Sequence, residues 1–261
     1  MSAVDDGAPP EAIDNDGQGG QMSLIEHLEE LRSRLMKSIL AIVAGAVVAW
    51  VFYPQLFDVF TAPLCDVVDE ERCQLVITDP VQGLSTRLRV AGYGGIALAM
   101  PVILWQVWRF VTPGLYAREK RLAIPFVGSA LVLFALGAGL AYWTLPRALE
   151  FLIDIGGDVE PFFTPDKYIQ LVTYMMLAFG IGFEFPILLV FLQMAGVLSN
   201  ETLRSWRRYA IVGIVVMVAV ITPSGDPISL LALSVPMYLF YEASILIGRL
   251  IDRRRRKAAS G

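Results

Sequence analysis

The residues able to do chemistry in this chain are few, and most of them are carboxylates. The stretch HLEELRSRL, residues 27–35, holds the only histidine and follows Glu26, so that Glu26 and Glu30 stand four residues apart. On a helix this spacing puts both on one face, where like charges repel by about 0.2–0.5 kcal/mol, while Glu30 and Arg34 at the same spacing attract. The patch reads either as the solvated face of an interfacial helix or as a preformed acidic site that receives a cation. Glu119 stands among Arg118, Lys120 and Arg121 in RFVTPGLYAREKR, either balanced by its neighbours or presented to a partner. Glu184 sits inside AFGIGFEFPILLV, with apolar residues on both sides. An ionisable group in such a run is expensive and is a functional candidate by default. Its alternative is a protonated acid bonded within a helix bundle. Pro186 should bend that helix. Asp226, in the turn TPSGDP, either caps the next helix or contacts a partner.

Other chemistries lack their residues. The lone His27 precedes the first apolar run, so it cannot serve a Ser–His dyad within one. There is no HExxH pattern and no glycine-rich loop ending in GK[ST]. Cys65 and Cys73 have no histidine near them and make a poor metal site. They form a disulfide or remain two thiols, and the spacing alone does not decide. Glycines at 92, 94, 95, 137 and 139 fit close helix approach better than phosphate binding. No enzyme, cofactor, metal site or nucleic-acid partner is expected.

The elements that carry these residues follow from hydropathy. The 261 residues are 56% hydrophobic and 18% charged, against about 45–50% and about a quarter in soluble domains. Six apolar segments stand out, at 35–53, 90–108, 122–144, 168–195, 209–222 and 228–248. The expected fold is therefore an all-α integral membrane protein with six transmembrane helices. The fifth segment is short, at about 21 Å for 14 residues. The sixth is shortened by Glu242, so the bilayer should thin there or neighbours should shield both. Six crossings leave Arg72, Arg87, Arg89, Arg147 and Lys167 on one side and all other basic residues on the other. The positive-inside rule then makes both termini cytosolic. A capping box, Ser23 to Glu26, should start the first helix, with Leu24, Leu28, Leu31 and Leu35 forming one stripe. Three regions follow: an acidic disordered tail over 1–21, a membrane domain over 22–250, and a basic cytosolic tail over 251–261. The RRRRK run should hold the last helix at an anionic inner leaflet.

HLEELRSRL, the run PVILWQVWRFVTPGLYAREKR beginning at Pro101, and GFEFP with the TPSGDP turn resemble, in order, the motifs of the TatC family. That family supplies the multispanning subunit of the twin-arginine protein translocase. The resemblance covers roughly residues 22–250. It implies a concave, cupped bundle in a prokaryotic plasma membrane, binding signal peptides with two adjacent arginines on its cytosolic face. It also implies TatA-like and TatB-like single-span partners, several copies per complex, and export of folded cargo by the proton-motive force. Carried over, the signal-binding carboxylates fall on Glu30 and Glu119, with His27, Leu28, Leu31 and Arg32 completing the first motif. Glu184 matches the family's buried glutamate, which resembles a partner-facing polar site in the concave groove, Pro63 a proline of the first external loop, and Asp226 the acid of the last turn, and the resemblance implies that these three residues meet partners. Each carboxylate could take one guanidinium fork, which lysine cannot copy. The competing expectation is a proton-coupled solute transporter with Glu184 as its proton site. The two halves of the chain show no repeat of the kind such folds often have.

Overall fold

A computed structural model describes residues 24–68, 75–111, 123–157 and 162–259, all of them helical or connecting, with no strand among them. Helix α1 spans Leu24–Val51, α2 Tyr53–Cys65, α3 Gln82–Val111, α4 Ala123–Ile155 and α5 Pro165–Gly182. Then come α6 Phe185–Met194, α7 Asn200–Ser205, α8 Arg207–Ile221 and α9 Pro227–Ala259. Five stretches are long and apolar enough to cross a membrane: His27–Val51, Gln82–Phe110, Ile124–Ile155, Pro165–Met194 and Pro227–Ile251. They match five of the six expected segments. The remaining one, α8, has 15 residues and reaches only about 22 Å.

The core centres on α5, whose Ile169, Val172, Met175 and Phe179 are fully covered by α3, α4 and their neighbours. Small residues set the closest approaches. A Cβ on Gly45 would stand 2.7 Å from the Gly95 carbonyl oxygen, and one on Gly95 would stand 2.7 Å from the Ala46 nitrogen. Glycine is thus the residue that lets α1 and α3 touch backbone to backbone. Gly137 does the same for α4 against the Phe179 carbonyl of α5, whereas Gly92 and Gly139 face open space. The close-approach reading therefore holds for Gly94, Gly95 and Gly137 and not for all five. On α1, Leu28, Leu35, Val43, Val47 and Val51 are exposed, so the leucine stripe turns away from the bundle. Ser23 and the side chain of Glu26 lie outside the described residues.

The fourth expected segment is interrupted. Pro186 has no N–H to give, and the Glu184 N–H reaches back only three residues, to Ile181 O at 3.0 Å. Phe183 and Glu184 keep right-handed helical angles, so α5 and α6 meet at a tightened turn. Past α6 the chain is fastened to α9. The Gln193 amide donates to Ser244 O at 3.1 Å, Asn200 to Ile245 O at 2.8 Å, and the Tyr241 hydroxyl to Leu203 O at 2.5 Å. Arg207 and Glu242 form an ion pair at 2.6 Å. Helix α9 continues to Ala259 and so carries the run Arg253–Arg256 as helix. Residues 1–21 lie outside the described part.

Candidate functional site

The expected first motif opens α1, and its residues divide by environment. His27, Leu28, Leu31 and Arg32 are exposed. The ring of His27 stacks on Phe110 at the end of α3, centroids 4.6 Å apart. Glu30 is only part-exposed and is already engaged: Arg34 donates to its Oε1 from Nε at 3.0 Å and also from Nη2. Glu30 Oε2 is shut off from solvent and has no hydrogen-bond partner among the described residues. Helix geometry explains the pair, since residues four apart lie one above the other on the same face. Glu119 lies outside the described residues. The described part of α3 ends at Val111, one residue past the Phe110 ring that meets His27.

Glu184 stands at the α5–α6 junction and lines a cavity of about 360 Å³. The walls come from α3, α4, α5, α6, α8 and α9, including Trp108, Phe126, Phe191, Met217 and Met237. Glu184 is the one ionisable residue lining it, and its Oε1 has no partner among the described residues. A lone carboxyl in an apolar recess carries an unmet hydrogen-bonding demand, which an incoming polar group would relieve.

Asp226 is fully buried and caps α9. Its Oδ1 accepts from the Ser229 N–H at 2.6 Å, and Oδ2 accepts from the Ser224 hydroxyl. Pro227 follows at the first helical position, where its missing N–H costs nothing. Pro63 is buried in the last turn of α2, and Cys65 ends that helix. Cys73 lies outside the described residues. No group of three metal-ligating side chains occurs among the described residues. Two functional neighbours were not singled out from sequence. Phe110 gives no local signal of its contact with a residue 83 positions earlier. Gln193, which fastens α6 to α9, looks like any polar residue at a helix end.

Fold and site together define a multi-pass, all-helical membrane protein with one carboxylate at the mouth of its first span and another facing an internal apolar groove. Comparison narrows this further. Residues 26–236 match the family described as "Sec-independent protein translocase protein (TatC)". The TatC protein of Frankia casuarinae is 40% identical over 248 residues, covering 91% of this chain and 68% of that one. The Aquifex aeolicus TatC is 39% identical over 240 residues, covering 90% of this chain and 98% of its own. A crystal structure described as the twin arginine translocase receptor TatC superposes with a TM-score of 0.72 at 40% identity, covering 86% of this chain and 99% of that one. The chain belongs to the TatC family, the Sec-independent protein translocase proteins.

Proposed function

We propose that this chain is the receptor and core subunit of a twin-arginine translocase, binding signal peptides through Glu30 and Glu119 on the cytosolic face. One observation carries the reading: the His27–Phe110 stack ties the start of α1, with Glu30, to the end of α3, where the segment bearing Glu119 begins. Two carboxylates held on separate segments ask for two guanidinium groups at once. Each can form a paired, planar contact that an ammonium cannot reproduce. His27, Leu28, Leu31 and Arg32 frame that entrance, and the exposed apolar face of α1 accepts the apolar part of a signal.

In this reading α8 is the fifth of six crossings, both termini are cytosolic, and the membrane is the prokaryotic inner membrane. TatA-like and TatB-like single-span partners meet the groove around Glu184, several copies assemble, and folded cargo crosses at the expense of the proton-motive force. Cys65 and Cys73 pair on the outer side; Cys65 is not a free thiol, which fits this. Asp226 is assigned to capping. The solute-transporter alternative gains nothing from the groove, whose walls beside Glu184 are aliphatic and aromatic.

The test is photocrosslinking in membranes, with probes beside Glu30 and Glu119 and peptides bearing Arg-Arg or Lys-Lys. Crosslinks are expected with Arg-Arg, and should vanish with Lys-Lys and in Glu30→Gln or Glu119→Gln. Equal crosslinking of both peptides would overturn the carboxylate pair.

A further inference from the structure

Glu30 cannot meet an incoming cation as it stands. Arg34 holds Oε1 through two N–H groups, and Oε2 is closed off from solvent. The pair is largely covered, with Arg34 and Glu30 side chains 14% and 20% exposed. A second guanidinium can reach neither oxygen without opening it.

We propose that Arg34 is a tethered surrogate ligand, a guanidinium of the chain itself that occupies Glu30 in the resting state and yields it when a signal arginine docks. The inference rests on Glu30 being a signal-binding carboxylate. It adds to that site a residue that sets its affinity threshold.

The chemistry suits exchange. The resting pair is lopsided: one oxygen is doubly used and the other has no partner among the described residues. An arginine arriving end-on uses both oxygens in a fork-to-fork contact, which the short tether from Arg34, four residues along the same helix, does not achieve here. Displacement therefore exchanges a one-sided use of the carboxylate for a complete one. Any cation that displaces Arg34 bears the same cost, so the surrogate sets a threshold. Weakly bound, strongly hydrated ammonium groups stay below it, and a guanidinium that takes both oxygens passes it. Released Arg34 remains on the same turn as Glu30. It can return when the signal leaves, which keeps the empty site from presenting a bare buried carboxylate.

The experiment titrates a labelled Arg-Arg signal peptide, and its Lys-Lys counterpart, into the full-length chain in lipid nanodiscs. Arg34→Gln, Arg34→Lys, Glu30→Gln and the double variant Arg34→Gln/Glu30→Gln are compared with the parent. Arg34→Gln is expected to tighten Arg-Arg binding roughly three- to tenfold, as for a partly covered charged pair rather than an exposed one. Lys-Lys binding should tighten by a similar factor. Arg34→Lys should fall between, because an ammonium holds one oxygen less firmly. In the Glu30→Gln background the Arg34 substitution should do nothing, a readout that a merely structural role would not produce. Weaker or unchanged binding in Arg34→Gln overturns the surrogate role, and so does an equal effect with and without Glu30. A parent chain indifferent to both Arg-Arg and Glu30→Gln would instead remove the receptor reading, and this inference with it. Melting temperatures of all variants, read by intrinsic tryptophan fluorescence, separate binding effects from loss of fold.

Discussion

His27 lies nearly face to face with Phe110, the ring planes 25° apart. The contact joins two helices at the end from which the candidate signal site is built, although the deep contact between α1 and α3 is made by glycines further along. The ring pair therefore acts on the entrance more than on overall stability. Ring contacts of this kind contribute about 0.5–1.5 kcal/mol. His27→Ala should weaken signal-peptide binding by roughly two- to tenfold while moving the melting temperature little. His27→Phe should restore much of the affinity. A titration of both variants checks this.

The glycine seam supplies a graded prediction. Gly95→Ala puts a Cβ 2.7 Å from the Ala46 nitrogen and the Ile42 oxygen, atoms that cannot swing aside. Overpacking of this kind costs about 1–3 kcal/mol. Gly92→Ala and Gly139→Ala meet nothing within 4 Å and should be neutral or slightly stabilising. Thermal unfolding in detergent should rank the three in this order, with Gly95→Ala clearly lowest.

Glu184 is expected to set stability against function. Its carboxyl carries an oxygen without a partner in an apolar groove, so Glu184→Leu should raise the melting temperature of the isolated chain. The same change should abolish copurification of single-span partners and export of a reporter. Glu184→Gln, which keeps a polar group in the groove, should retain part of both. A stable, fully active leucine variant would remove Glu184 from the partner site.

Asp226 makes the opposite case. Both oxygens are used within the chain, one on the Ser229 N–H and one on the Ser224 hydroxyl. Asp226→Ala should cost about 1–2 kcal/mol through the lost cap, and Asp226→Asn distinctly less. Export by the alanine variant should fall in proportion to its folded amount. A fully folded but inactive alanine variant would show that the residue does more than cap.

Periodicity and spacing explain what was legible beforehand. Runs of apolar residues long enough for a bilayer announce themselves, and the Glu30–Arg34 pair is dictated by the helical repeat. Helix α2 falls in what the sequence reads as the first external loop, and Pro54 and Pro63 give no local sign of a helix. One sits in the first turn, where the missing N–H is harmless, and the other in the last, so the helix survives and buries Phe60, Pro63 and Leu64. The His27–Phe110 contact was illegible because nothing local to either residue encodes a partner 83 positions away. The interruption at Glu184 was readable from Pro186, but the groove it faces depends on six helices and could not be seen from any one of them.

The small hold on α8 bears on how the chain is made. Helix α8 leans mainly on α9 and has few other neighbours, and its 15 residues fall short of the hydrocarbon thickness. A nascent chain that has emerged only as far as Ile221 therefore has no stable berth for it. If α8 crosses as proposed, its insertion is expected to wait until α9 is synthesised, the two entering the bilayer together as a hairpin around the Asp226 turn. Ribosome-bound chains in which a polar linker replaces α9 and fills the exit tunnel should leave α8 accessible to a water-soluble thiol reagent at an engineered cysteine, and chains in which α9 itself has fully emerged should protect it. The last step in building this protein is then a paired one, and its timing is set by translation of α9.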